Sequence, residues 1–174
     1  MDWTKTLFEV IDMRSFSNLW FWIILAVVWS SASHYVLGVP YDMIIRARRH
    51  GGQALTDLED SVRISVNRLL YIGRVSGLWL LGFVTFVLTI LLTLAVWYRV
   101  EFAQAVALIA VPMTLVGFMS LSTAQQIEAE APTGDALFRR LIRHRFWTQV
   151  IGMTSIFVTA MYGMYKNLTV MPWQ

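Results

Sequence analysis

Three histidines come first, because in a chain without cysteine imidazole is the usual ligand for haem or a metal ion. His34 follows the stretch Trp29-Ser30-Ser31-Ala32-Ser33, His50 ends a basic run, and His144 stands between Arg143 and Arg145. His34 and His144 fall on different apolar segments, both near the same end. Together they could hold a b-type haem, and a quinone could sit beside Trp29 and His34. The plainer readings are a hydrogen-bonded interior histidine at 34 and a headgroup contact at 144, where the flanking arginines oppose a bound cation. No GxSxG, HExxH, P-loop or dinucleotide fingerprint occurs. Asp57, Glu59 and Asp60 read as a solvated helix face. No ionisable residue lies mid-way through an apolar segment, where a proton-coupled transporter would place one. Pro112 should kink its helix, as some transporters require and ordinary helix bundles tolerate.

The elements that position these residues follow from composition. Of 174 residues, 57% are hydrophobic and only 14% charged, against about 25% charged in a soluble domain. So small a domain has too much surface to hide that surplus from water. A soluble enzyme, a disordered linker and a disulfide-stapled secreted domain are excluded, and the class is integral membrane protein.

Four segments carry no charge: residues 15–41, 75–98, 102–127 and 146–165. Each meets the roughly 20 residues of helix that a bilayer core requires. The expected fold is all-α: a single four-span transmembrane domain over 1–174, a four-helix bundle with spans at about 18–39, 75–98, 102–125 and 146–166. Trp20, Trp22, Tyr41, Trp97, Tyr98, Trp147, Tyr162 and Tyr165 mark the interfaces, whereas Trp29 and Trp79 read as core. Arg46, Arg48, Arg49, Arg63, Arg68 and Arg74 lie between spans one and two. Arg139, Arg140, Arg143 and Arg145 lie between three and four, which leaves Lys5, Arg14, Arg99 and Lys166 for the other side. The positive-inside rule then puts both termini outside the cytoplasm, in a bacterial periplasm. Met1-Asp2-Trp3 lacks the basic region of a cleaved signal, so the first span is expected to be permanent.

Outside the spans, residues 2–13 read as an amphipathic interfacial helix. Residues 42–50 read as a short basic helix stopped at Gly51-Gly52. Thr56 and Glu59 have the spacing of a capping box. Leu55, Leu58, Val62, Val66 and Leu69 then repeat at helical spacing, so a helix from about residue 54 should run into the second span and extend it into the cytoplasm. Asp135 should cap the helix that becomes the fourth span. Arg46, Arg48, Arg49, Arg143 and Arg145 are placed to touch lipid headgroups or a partner. The net charge of +3 fits anionic lipid at membrane boundaries and does not call for nucleic acid. Asn167-Leu168-Thr169 is a glycosylation sequon, relevant only in a eukaryotic secretory pathway.

Each span carries small or hydroxylated residues at helical spacing: Ala26, Ser30 and Ser33; Gly73, Gly77, Thr85, Thr89 and Thr93; Ala103, Ala107, Ala110, Thr114 and Gly117; Thr148, Gly152, Ser155 and Thr159. Helices in lipid associate through close backbone approach and hydrogen bonds of about 0.6 kcal/mol each. Four such stripes are expected to face one another. The alternative is that one of them, with Gly73 and Gly77 as its GxxxG pair, faces a partner or a second copy.

The stretches Ile11-Asp12-Met13-Arg14-Ser15-Phe16, Ser33-His34-Tyr35-Val36-Leu37-Gly38-Val39-Pro40 and Arg48-Arg49-His50-Gly51-Gly52-Gln53-Ala54 share a further property. With Val100-Glu101-Phe102-Ala103-Gln104-Ala105 and Leu141-Ile142-Arg143-His144-Arg145-Phe146-Trp147 they make nearly the whole chain resemble a family of small alphaproteobacterial inner-membrane proteins. Some of its members carry the label "component of the Suf iron–sulfur assembly complex". The chain has no cysteine, nucleotide motif or soluble scaffold segment to match that label. The resemblance implies a compartment and supplies no catalytic residue. The expected function is that of a non-catalytic accessory or assembly subunit of a larger respiratory or photosynthetic inner-membrane complex, with lipid and that complex, or a second copy, as partners and no cofactor. The alternatives are a haem- or quinone-binding redox protein at His34, His144 and Trp29, and a small transporter or channel lined by the threonine stripe.

Overall fold

A computed structural model describes Phe16 and residues 18–170. It is all-α, 90% helical, with five helices. The expected interfacial helix at 2–13 lies outside the described residues. Helix α1, Leu19–His34, is capped by the Asn18 side chain, which accepts from the Trp20 amide at 3.0 Å. It stops short of the expected Val39. Leu37 and Gly38 both adopt positive φ, 52° and 84°, between antiparallel pairs Tyr35 with Pro40 and Val36 with Val39. That is the geometry of a two-residue I′ hairpin, β1 (Tyr35–Val36) and β2 (Val39–Pro40). Pro40 also biases Val39 to extended backbone, so the helix could not have continued there.

Helix α2, Tyr41–His50, carries Asp42 in its first turn and Arg48, Arg49 and His50 in its last, each matched to the helix dipole. Gly51 ends it at φ 58°, with its amide on the Ala47 carbonyl at 2.9 Å. Helix α3, Gly52–Val96, is one unbroken element of 45 residues, or about 68 Å at 1.5 Å per residue. The expected continuity of the helix from residue 54 into the apolar segment is therefore present. The expected capping box is not. The helix already begins at Gly52, Thr56 donates back to the Gly52 carbonyl, and Glu59 accepts instead from the Gly134 amide at 2.9 Å. A carboxylate on α3 thus caps helix α5, Gly134–Val170, while Asp135 sits inside the first turn of that helix. Helix α4, Glu101–Glu130, connects the two.

The principal core lies at the basic end of the molecule. Val36, Leu37 and Val39 of the hairpin, Ile44 and Ala47 of α2, and Leu58, Val62, Val66 and Leu70 of α3 meet Ala124 and Ile127 of α4 and Leu137, Phe138 and Leu141 of α5. The four-residue spacing on α3 is the helical stripe read from the sequence, and Leu58 and Leu141 are fully buried. Arg74 of α3 pairs with Glu128 of α4, and Arg140 of α5 pairs with Glu130 of α4 at 2.7 Å. This headpiece has an apolar interior under a charged surface.

Beyond the headpiece the character changes. Among the described residues, α3 and α4 are the two helices long and apolar enough to cross a membrane, and only 6% and 11% of their most apolar stretches are buried. α1 is apolar but only 16 residues long. The long helices neighbour one another in the order α3, α4, α5, α1. Of the four small-residue stripes, that of α5 is fully interior: Thr148, Gly152, Ser155 and Thr159 are all buried. Gly152 admits the ring of Trp29, since a Cβ there would lie 2.7 Å from Trp29 Cε3. Ala103 and Ala107 of α4 pack with Ala95 of α3, where Gln104 Nε2 donates to the Ala95 carbonyl at 2.8 Å. The stripe of α1 and the threonine part of the stripe on α3 do not face inward as expected. Ala26 and Ser30 of α1 are exposed, and so are Thr85, Thr89 and Thr93 of α3. Trp29 is interior as expected, but Trp79 is 84% exposed.

Candidate functional site

At the junction of headpiece and apolar helices, α5 turns His144 toward α4. The ring is 6% exposed. Its Nε2 lies 3.3 Å from Ser120 Oγ and its Nδ1 lies 3.2 Å from Thr123 Oγ1. Ser120 and Thr123 are three apart on a helix and so share a face. Each hydroxyl also donates to its own helix, Ser120 to the Val116 carbonyl and Thr123 to the Met119 carbonyl, both at 2.8 Å. A hydroxyl has one proton, and a neutral imidazole has one donor and one acceptor. One hydroxyl can therefore accept from the ring while keeping its carbonyl. The other must choose between its carbonyl and the ring's lone pair. Burial pushes the imidazole below its ordinary value, because a desolvated ring resists charge.

The same junction gathers cations. Arg140, Arg143, His144, Thr123, Gln126 and Trp147 line a cavity of about 220 Å³ between α4 and α5. Arg140 gives Nη2 to Glu130, while its buried Nη1 has no acceptor among the described residues. Leaving such a charged donor unanswered costs at least about 1–3 kcal/mol. Arg145 turns the other way. Its Nε donates to the Ser33 carbonyl at 3.1 Å, and its guanidinium lies 3.5 Å from the centroid of the Tyr41 ring, a stacked cation–π contact.

The residues singled out in the sequence divide accordingly. His34 is exposed and stands edge-on to Tyr35, with centroids 5.0 Å apart, whereas His144 points to α4. The two rings thus have different neighbours. Trp29 is packed on Gly152, with its indole N–H lacking an acceptor among the described residues. Gly73 faces Leu121 of α4, a Cβ there lying 3.2 Å from Leu121 Cδ1, whereas Gly77 has open space. Both line an apolar groove of about 270 Å³ with Thr114, Gly117 and Leu121. Thr85, Thr89 and Thr93 bond the carbonyls of Leu81, Thr85 and Thr89. Their hydroxyls are satisfied within the helix, so this face can meet hydrocarbon without an unpaired polar group. Arg46, Arg48 and Arg49 are exposed on α2, and Arg48 and Arg49 line a second cavity with Tyr41 and Ile142. Arg143 is exposed as well.

No family model, curated protein or solved structure matches the chain. Sequence reasoning missed Ser120, Thr123, Arg140 and Glu130. The signal in the sequence is a pair of hydroxyls three apart near the end of an apolar segment, a shorter pattern than the four small-residue stripes.

Proposed function

We propose that the chain is a four-span protein of a bacterial inner membrane, with the headpiece in the cytoplasm and both termini in the periplasm. It works there as a non-catalytic accessory or assembly subunit of a larger membrane complex. The observation that carries this reading is α3, one helix from the packed headpiece into an apolar length that is almost wholly uncovered. About 30 Å of hydrocarbon accounts for less than half of its length, so the rest must stand in water. The clustering of arginine at the headpiece supports a cytoplasmic position. In this reading α1 and the hairpin together complete the first span, and the 146–166 part of α5 forms the fourth.

The contact role follows from the order of the helices. Among the described residues α2 packs on the headpiece part of α3, while farther along the two end helices of the row α3, α4, α5, α1 each keep an exposed flank. On α3 that flank carries Thr85, Thr89 and Thr93. A partner helix or lipid can close it. The test is one native purification of the full chain in mild detergent, with an absorbance spectrum and mass spectrometry of what co-elutes. Stoichiometric membrane partners without a Soret band are expected. A chain that migrates alone, or one that carries haem or a quinone, overturns the reading.

A further inference from the structure

We propose that the cavity between α4 and α5 binds a phosphate group, held by Arg140 and Arg143, and that its source is an anionic phospholipid. The case starts from Arg140. This guanidinium is mostly buried, with 15% side-chain exposure. Glu130 takes one of its terminal nitrogens, and the other is buried without an acceptor among the described residues. A guanidinium is a rigid fork of donors and cannot shed its charge. Arg140 lines a cavity with room for an oxygen anion, and a small shift of its long side chain would bring the unanswered nitrogen to that anion.

The remaining lining fits that ligand. Arg143 sits one helical turn along α5, exposed and without an ion pair among the described residues. Thr123 and Gln126 add hydroxyl and amide groups from α4. Two guanidinium groups against the single carboxylate of Glu130 leave the cavity net positive. Planar donors in pairs match the oxygens of a phosphate better than a point charge does. His144 forms the back wall, its nitrogens already engaged by Ser120 and Thr123.

Two further side chains argue for a lipid rather than a free anion. Met119 and Trp147 belong to the same lining, and Trp147 and its neighbour Phe146 are both about half exposed. The phosphate position therefore borders an aromatic and apolar surface along which acyl chains can run. Basic pockets between membrane helices on the cytoplasmic side bind anionic headgroups in this way. The lipid source rests on the membrane reading above, whereas the phosphate site itself does not.

The experiment uses delipidated full-length protein in detergent, followed by native mass spectrometry. It is titrated separately with phosphatidylglycerol, phosphatidylcholine and inorganic phosphate. One phosphatidylglycerol per chain is expected to bind ahead of phosphatidylcholine. That binding should weaken about tenfold or more in Arg140→Gln/Arg143→Gln, and measurably in Arg143→Gln alone. The exposed Arg143 can be changed without disturbing the core, which guards against misfolding of the double variant. Arg63→Gln/Arg68→Gln removes equal charge from exposed positions on α3 and should leave the binding unchanged. Binding of inorganic phosphate but not phosphatidylglycerol, lost in the same variants, keeps the site and overturns the lipid source. Equal lipid binding by all variants, or none by the wild type, overturns the site. Extraction of the chain from membranes by alkaline carbonate sinks the membrane reading separately and leaves the phosphate titration readable.

Discussion

Ser155 on α5 supplies the hydrogen bond that Pro112 removes from α4. Proline has no N–H, so the carbonyl four residues earlier, that of Leu108, loses its helical donor. Ser155 Oγ lies 3.2 Å from that carbonyl oxygen. α4 therefore continues through Pro112 as a single 30-residue helix, and the break is repaired from the neighbouring helix. In an apolar surrounding this matters more than in water, where solvent would do the same.

This relationship predicts a coupling. Ser155→Ala should lower stability by about 1 kcal/mol. In the Pro112→Ala background the amide of residue 112 can serve Leu108, and the cost of Ser155→Ala should shrink toward zero. A double-mutant cycle by thermal melting in detergent measures the difference. Additive effects would show that the two residues are independent.

Glycines on the two sides of the row should behave oppositely. Gly152→Ala drives a methyl into Trp29 and should cost about 1–3 kcal/mol, with part of the loss recovered on Trp29→Phe. Gly77→Ala enters open space and should stabilise the isolated chain by up to about 1 kcal/mol through helix propensity. If a partner helix enters the groove that Gly77 lines with Thr114 and Gly117, the same substitution should reduce co-purification of the partner while leaving the isolated chain intact. Melting and pull-down on one pair of proteins separate the two effects.

Burial gives His144 a definite pH signature. Its folded value lies below the ordinary 6.5, so below pH 6.5 the unfolded chain binds protons that the folded one does not. Stability from this group is fully present above pH 6.5 and is lost as pH falls toward the lower folded value. Melting followed from pH 7.5 to 5 should therefore show a steeper acid-side loss for the wild type than for His144→Gln. Parallel pH profiles for the two proteins would refute the assignment.

The absence of cysteine makes topology easy to read. Single substitutions Arg48→Cys in the headpiece and Tyr98→Cys in the α3–α4 turn should label on opposite sides of the membrane with an impermeant maleimide. In intact cells with a permeabilised outer membrane, only Tyr98→Cys should react. Reaction of Arg48→Cys under those conditions would invert the proposed orientation.

Much of the helical layout was legible in sequence, for local reasons. Charge-free segments, the stop at Gly51-Gly52 and the stripe through Leu58, Val62 and Val66 each depend on residues a few positions apart. The end of α1 was legible in principle too, because Gly38 and Pro40 mark a turn, but uninterrupted hydropathy masked it. The direction of each small-residue stripe was not legible. Thr85-Thr89-Thr93 and Thr148-Gly152-Ser155-Thr159 are alike as patterns, yet the first is exposed and the second buried.

By itself the sequence determined an apolar all-α chain with its arginines concentrated at one end, since composition, period and charge are properties of neighbouring residues. The tertiary structure decided which groups answer one another. Glu59 caps a helix 75 residues away, Ser155 serves a carbonyl 47 residues away, and His144 rests on hydroxyls 24 and 21 residues away. These pairings arise because buried donors and acceptors must be satisfied by whatever packing brings near, and no short-range pattern in the chain encodes that proximity.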